Sequence, residues 1–178
     1  MPACLVISTS GNPDSNSRRM AQYALNVLKR SSLRCDWLDI SRLDLPLCDA
    51  DVCYGHAGAQ QVSNAIEAAD GIIVATPIYN YDVSAAAKNM VELTGSAWEE
   101  KIVAFLCAAG GMSSYMSVMS FANSLMFDFR SIIIPRFVYA TGSAFKGDEL
   151  VDHKVGERIE QLTAEMIRFV NALRGKQK

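Results

Sequence analysis

Three apolar runs that lack polar alternation constrain this chain most. Ala3-Cys4-Leu5-Val6-Ile7, Ile72-Ile73-Val74-Ala75 and the stretch from Lys101 to Ala108 are each short, and each offers apolar side chains in succession. A strand built that way is buried on both faces. That is the condition of a parallel sheet with helices packed on either side.

The segments between the runs read as the required helices. Met20, Tyr23, Ala24, Val27 and Leu28 share one face of a helix over 17–30. Val62, Ala65, Ile66 and Ala69 do the same over 59–69, and Ser84 caps a helix over 85–94. Residues 115–129 read as helical and are rich in Met and Phe. A long terminal helix over 149–174 carries Val155, Ile159, Leu162, Met166, Phe169, Val170 and Leu173 on one stripe. Leu33–Ile40 supplies a second strand. Ile132–Ala140 supplies the last, with Pro135 suited to an edge or a bulge. Strands and helices alternate throughout, which predicts an α/β doubly wound fold over a single domain, 1–178. The expected form is a flavodoxin-like three-layer sandwich whose five-stranded parallel sheet has the order 2-1-3-4-5.

Bulk properties narrow the function. The chain has 178 residues, a formal net charge of −2 and five Cys. That charge points to neither nucleic acid nor an anionic membrane surface. No apolar run approaches the length of a membrane span, and no signal peptide is visible. Scattered thiols in odd number fit a reducing compartment, so a cytoplasmic location is expected.

In a doubly wound sheet, ligands sit outside the carboxyl ends of the strands. Those ends are the loops at 8–17, 76–82 and 109–115, which should converge on one site. The first is dense in hydroxyls and amides, with Ser8, Thr9, Ser10, Asn12, Ser15, Asn16 and Ser17 before the first helix. A strand that opens through such a loop into a helix aims backbone N–H groups and the positive end of the helix dipole at one point, which suits a phosphate. The plainer alternative is a polar loop in which Ser15 or Ser17 caps the helix. Neither GxxxxGK[ST] nor GxGxxG is present, which argues against nucleotide-triphosphate and dinucleotide fingerprints. A phosphorylated receiver domain would need carboxylates where the chain has Ser8-Thr9-Ser10 and Thr76-Pro77.

At these loops the chain resembles the NADPH-dependent FMN reductase family of flavodoxin-like proteins. Ser10 and Ser15-Asn16-Ser17 match that family's Gly-Ser-x-Arg-x-x-Ser-Asn-[Ser/Thr] phosphate loop, with Thr9 in place of its Gly and Asn12 in place of its Arg. Thr76-Pro77-Ile78-Tyr79-Asn80, followed by Lys88-Asn89, is similar to the family's Thr-Pro-x-Tyr-Asn run, which wraps the isoalloxazine ring. Ala109-Gly110-Gly111 is similar to its Gly-rich turn, and Phe145–Leu150 to the segment before its last helix. The resemblance implies an FMN-dependent oxidoreductase. Hydride would pass from NADPH or NADH through FMN to flavin, quinone or another small acceptor. It implies phosphate ligands at Ser10, Asn12, Ser15, Asn16 and Ser17, with Ser8 also among the cofactor-binding residues. It implies ring contacts at Pro77, Ile78, Tyr79, Asn80, Gly110 and Gly111. It also implies a homodimer or homotetramer.

No side chain is needed as acid or base, because the hard chemistry belongs to the flavin. His56 and His153 read as surface residues, and Arg18 and Arg19 as solvated ones with a secondary option of assisting a phosphate. Cys48 and Cys53 are too few for an iron–sulfur cluster that wants four thiolates, so no metal is expected. The Met and Phe group at 112–129 reads as core packing or as a face shared with a second subunit. Two further functions compete: a flavodoxin-like electron carrier, and a binding or regulatory module without turnover.

Overall fold

Side chains along the central strands alternate between two cores, and that alternation sets the layers. The computed structural model describes residues 3–174. Its parallel strands are β1 (Ala3–Ser8), β2 (Arg34–Asp39), β3 (Gly71–Tyr79) and β5 (Ile102–Ala109); β4 (Asp82–Val83) turns back antiparallel on β3. Two short strands, β6 (Ile132–Ile133) and β7 (Val138–Thr141), both pair parallel with β5 and together make the fifth position. The order β2-β1-β3-β5-β6 is the doubly wound order expected from the sequence. A separate hairpin joins β8 (Phe145–Lys146) to β9 (Glu149–Leu150).

Cys4, Val6, Ile73, Ala75, Ala104 and Leu106 face one layer, formed by α1 (Asn16–Leu28) and α5 (His153–Arg174). Leu5, Ile7, Ile72, Val74, Val103 and Phe105 face the other, formed by α2 (Ala57–Glu67), α3 (Ala85–Thr94) and α4 (Met119–Phe129). The stripe Ile159, Leu162, Met166 and Val170 is fully buried, as the 3.6-residue period requires. Gly71 lets α5 approach β3 closely: a Cβ there would lie 2.4 Å from Met166 Sδ and 2.7 Å from Val170 Cγ2.

Four boundaries differ from the sequence reading. β3 continues through Tyr79, where a loop was expected from Thr76, and a two-residue turn carries it into β4. α4 begins at Met119, after a single turn of tighter helix at Met112–Ser114 and a further turn over 115–118. α5 begins at His153, since Glu149–Leu150 is taken up by the hairpin. The last strand is interrupted between Ile133 and Val138, where Pro135 has no N–H to give. No helix among the described residues is long and apolar enough to cross a membrane.

Candidate functional site

The loop between β1 and α1 is held from beneath by hydroxyls. Thr9 is fully buried, and its backbone N–H donates to Ala75 O at 2.9 Å. Its hydroxyl donates to the same oxygen at 3.1 Å. Ser84 Oγ donates to Thr9 O (3.1 Å) and accepts from Ala87 N (3.2 Å), so one residue caps α3 and anchors the first loop. Thr9, which departs from the family pattern, therefore spends its side chain on the fold.

Above this floor the loop closes on itself. Asn12 N donates to Ser10 Oγ (3.2 Å), Asp14 N donates to Asn12 Oδ1 (2.9 Å), and Ser15 N donates to Asn12 O (3.2 Å). Ser15 is the N-cap of α1: its Oγ accepts from Arg18 N at 3.3 Å and lies 3.2 Å from Ser17 Oγ. The first turn of α1 leaves the N–H groups of Asn16 and Ser17 without intrahelical partners.

This loop, the end of β3 and the turn after β5 meet around one cavity of about 540 Å³. Asn12, Asp14, Ser15, Asn16, Ser17 and Arg19 of the first loop and α1 line it. Pro77, Ile78 and Tyr79 of β3, Ala108, Ala109 and Gly110 around the end of β5, and Gly142 after β7 complete the wall. The convergence of three separated turns is the geometry that the strand order demands. Of the residues singled out in the sequence, Asn12, Ser15, Asn16, Ser17, Pro77, Ile78, Tyr79 and Gly110 are on the wall. Ser8 and Ser10 lie beneath it, buried; Ser10 shapes the loop, and Ser8 Oγ has no hydrogen-bond partner among the described residues. Asn80 sits at the hairpin turn and lines a neighbouring cavity of about 690 Å³ with Tyr79, Lys88 and Phe121. Gly111 stands off the wall, its carbonyl accepting from the Tyr139 hydroxyl.

Arg18 and Arg19 are consecutive and do different work. Arg18 makes an ion pair with Asp39, whose side chain is 3% exposed, and its guanidinium lies 5.8 Å from the centre of the Trp37 ring. Arg19 turns to the cavity, where its Nη1 donates to Asn16 Oδ1 at 2.6 Å and its Nη2 pairs with Asp148 of the β8–β9 turn. It is the one cation on that wall among the described residues, with Asp14 the one anion. The loop patterns in the sequence single out none of Asp14, Arg19, Ala108 and Gly142 as cofactor ligands. Helix phase was the available signal, since Arg19 lies one turn beyond Ser15.

The residues present fit a flavin mononucleotide. A cavity with free helix N–H groups, hydroxyls and a guanidinium on its wall accepts a dianion. Gly110 of the same wall offers no Cβ, and one built there meets no atom within 4 Å, so a flat ring can lie against the main chain.

Comparison with known proteins agrees. The model of the NADPH-dependent FMN reductase family matches residues 2–146. An NAD(P)H-dependent FAD/FMN reductase of Geobacillus thermodenitrificans (strain NG80-2) is 29% identical over 151 residues, covering 80% of this chain and 82% of that protein. An NADPH:quinone oxidoreductase of Arabidopsis thaliana is 29% identical over 171 residues, covering 88% and 86%. Among solved structures, the NAD(P)H:(acceptor) oxidoreductase FerB from Paracoccus denitrificans superposes with a TM-score of 0.77 at 18% identity, covering 97% of this chain and 98% of that one. At that identity the likeness speaks for the fold.

Proposed function

The chain belongs to the NADPH-dependent FMN reductase family, and on that premise we propose which of its residues serve the cofactor and what class of acceptor it reduces. As a member it is an FMN-dependent oxidoreductase that draws hydride from NAD(P)H. FMN, held by these residues, would supply the redox chemistry between NAD(P)H and a second small molecule.

The chain's own residues bind, orient and leave room. At the first loop, the N–H groups of Asn16 and Ser17, the hydroxyls of Ser15 and Ser17, the Asn12 amide and the Arg19 guanidinium hold the phosphate. Ser10 keeps the Asn12 turn in shape, and Ser8 lies below it with an unspent hydroxyl. Pro77, Ile78, Tyr79 and Asn80 edge the ring, and Gly110 and Gly111 bring main chain to it. No side chain serves as acid or base. The acceptor is flavin, a quinone or a similar small acceptor, a class that the names of the two relatives support. The protein works in the cytoplasm as a homodimer or homotetramer.

The observation that carries this reading is the single cavity shared by the three turns, with Arg19 and Gly110 both on its wall. The test is Gly110→Val. The free protein has open space there, so folding should be spared while the ring is obstructed. FMN affinity, followed by quenching of flavin fluorescence, should fall tenfold or more, a change of about 1.4 kcal/mol. Unchanged affinity would remove Gly110 from the site. In parallel, a benzoquinone or free FMN should accelerate NADPH oxidation by the FMN-loaded protein. Indifference to both would overturn the acceptor class.

A further inference from the structure

Outside the cofactor cavity, the irregular segment between β2 and α2 brings two thiols together. Cys48 Sγ and Cys53 Sγ lie 3.9 Å apart, both free. The chain between them is a tight turn: Asp49 Oδ1 accepts from both Asp51 N (3.0 Å) and Cys53 N (3.1 Å), and Ala50 takes a positive φ of 61°. The turn is pinned to α3, where Cys48 N donates to Asn89 Oδ1 at 2.9 Å and Asn89 Nδ2 donates to Pro46 O at 2.8 Å. Cys53 is 3% exposed and Cys48 half-buried. The Tyr54 hydroxyl lies 3.9 Å from Cys48 Sγ, and Cys48 Sγ also lies 3.7 Å from Glu92 O. Cys48 is itself partly open to solvent, so a small polar oxidant can reach the more open sulfur directly.

We propose that Cys48 and Cys53 are a peroxide-reactive dithiol that closes to a disulfide, a modification site separate from the flavin cavity. A disulfide needs about 2.0 Å between sulfurs, so closure takes side-chain rotation and a small shift of a surface turn. The Cys48 thiolate attacks one oxygen of a hydroperoxide. The S–O bond forms, the O–O bond breaks, and the departing oxygen leaves as water (as an alcohol from an organic peroxide). Cys53 sulfur then attacks the Cys48 sulfenic acid: the S–S bond forms, the S–O bond breaks, and a water leaves. Two thiols lose two hydrogens in all, and one peroxide is reduced.

Exposure assigns the order. Cys48 meets solvent, whereas burial and the Asp49 carboxylate push the Cys53 thiol up, so it follows rather than leads. Cys4 and Cys107, inside strands and each pushed up to about 12 by burial, are internal controls.

The test treats reduced protein with hydrogen peroxide and maps its thiols. No Lys or Arg lies between the two cysteines, so one tryptic peptide, Leu43–Lys88, holds both and no other Cys. That peptide should lose two hydrogens, the thiols titrated after unfolding should fall from five to three, and dithiothreitol should restore all five. Cys53→Ser should stop at a sulfenic acid on Cys48 that dimedone captures, and Cys48→Ser should stay unmodified. Five surviving thiols, oxygen retained on Cys48 of the wild type, or a link through Cys4, Cys35 or Cys107 would each overturn the proposal. The wild-type peptide decides even if a variant fails to fold.

Discussion

Arg19 carries the charge that the first loop otherwise lacks. Asn12, at the family's Arg position, uses its side-chain oxygen to close a turn onto Asp14 N, so it brings no cation. Arg19 brings one from the next turn of helix, with Asp148, 90% exposed, as its present partner. An exposed partner is a weak competitor for a guanidinium. Arg19→Ala should therefore weaken FMN about ten- to a hundredfold, the worth of one charge-assisted contact, and leave riboflavin, which has no phosphate, unaffected. Calorimetric titration of both ligands decides it; equal losses would mean that Arg19 does not meet the phosphate. Neighbouring letters in the sequence did not separate Arg19 from Arg18, because the difference lies in which way each points once α1 has docked on β2. A second residue-scale expectation concerns alkali. Burial raises the Cys4 and Cys107 thiols to about 12 in the folded state, above an ordinary thiol near 8.5. Both stay protonated when folded and ionise when unfolded. Their contribution is complete below the ordinary value and drains away as pH rises towards 12. The fall is about 1.4 kcal/mol per pH unit for each thiol. Urea unfolding between pH 8 and 11 should show that slope, and Cys107→Ala should lower it by one thiol's share.

At the scale of elements, the β3–β4 hairpin holds the most local strain. Asn80 and Tyr81 form its two-residue turn with φ of 51° and 64°. Asn tolerates the left-handed region, but a bulky aromatic residue there costs about 1–2 kcal/mol. Tyr81→Gly should thus raise the melting temperature by a few degrees, with a stability gain of about 1 kcal/mol, read by calorimetry. A loss of stability would mean that the Tyr81 side chain supports the turn. Two hydroxyls fix the hairpin's base: Thr76 Oγ1 accepts from Ser84 N at 3.3 Å, and Ser84 holds Thr9 O. This element was only half legible. The sequence reading gives a loop from Thr76 that wraps the ring, whereas the strand in fact runs on through Pro77 to Tyr79. Register explains why it does. β1 pairs with β3 only as far as Ser8 beside Ala75, and Pro77 lies past that point, paired beside Ala108 of β5 alone. A missing N–H costs little where one neighbour strand has stopped. Pro135 was easier to place, since the last strand is an edge and a break there leaves no central ladder open.

For the whole molecule, convergence of the three turns was the most legible feature. Once strands buried on both faces alternate with helices, parallel topology sends all their carboxyl ends to one rim, whatever the loops contain. Which loop atoms face inward was not legible, because that depends on turns closed by single hydrogen bonds such as Asn12 N to Ser10 Oγ. The Met and Phe group divides between the core and the surface. Phe121 and Leu125 of α4 are buried in the core, while Phe127 is 84% exposed, with Met112, Met116 and Met119 also open to solvent. Beside them, Met119, Met126, Ile133 and Phe137 line an apolar cavity of about 300 Å³. A lone exposed apolar residue is ordinary, whereas an exposed aromatic and several exposed methionines on one helix and the segment before it are residue types enriched at protein interfaces. Burying one such ring is worth about 1.5–3 kcal/mol, and in a two-fold assembly each subunit contributes one. If α4 forms the contact between copies, Phe127→Glu should be silent in folding, because the ring touches little of its own chain. It should also shift the sedimenting species from dimer or tetramer to monomer at micromolar concentration. Wild-type protein that already sediments as a monomer, or a variant whose assembly is unchanged, would place the contact on another face.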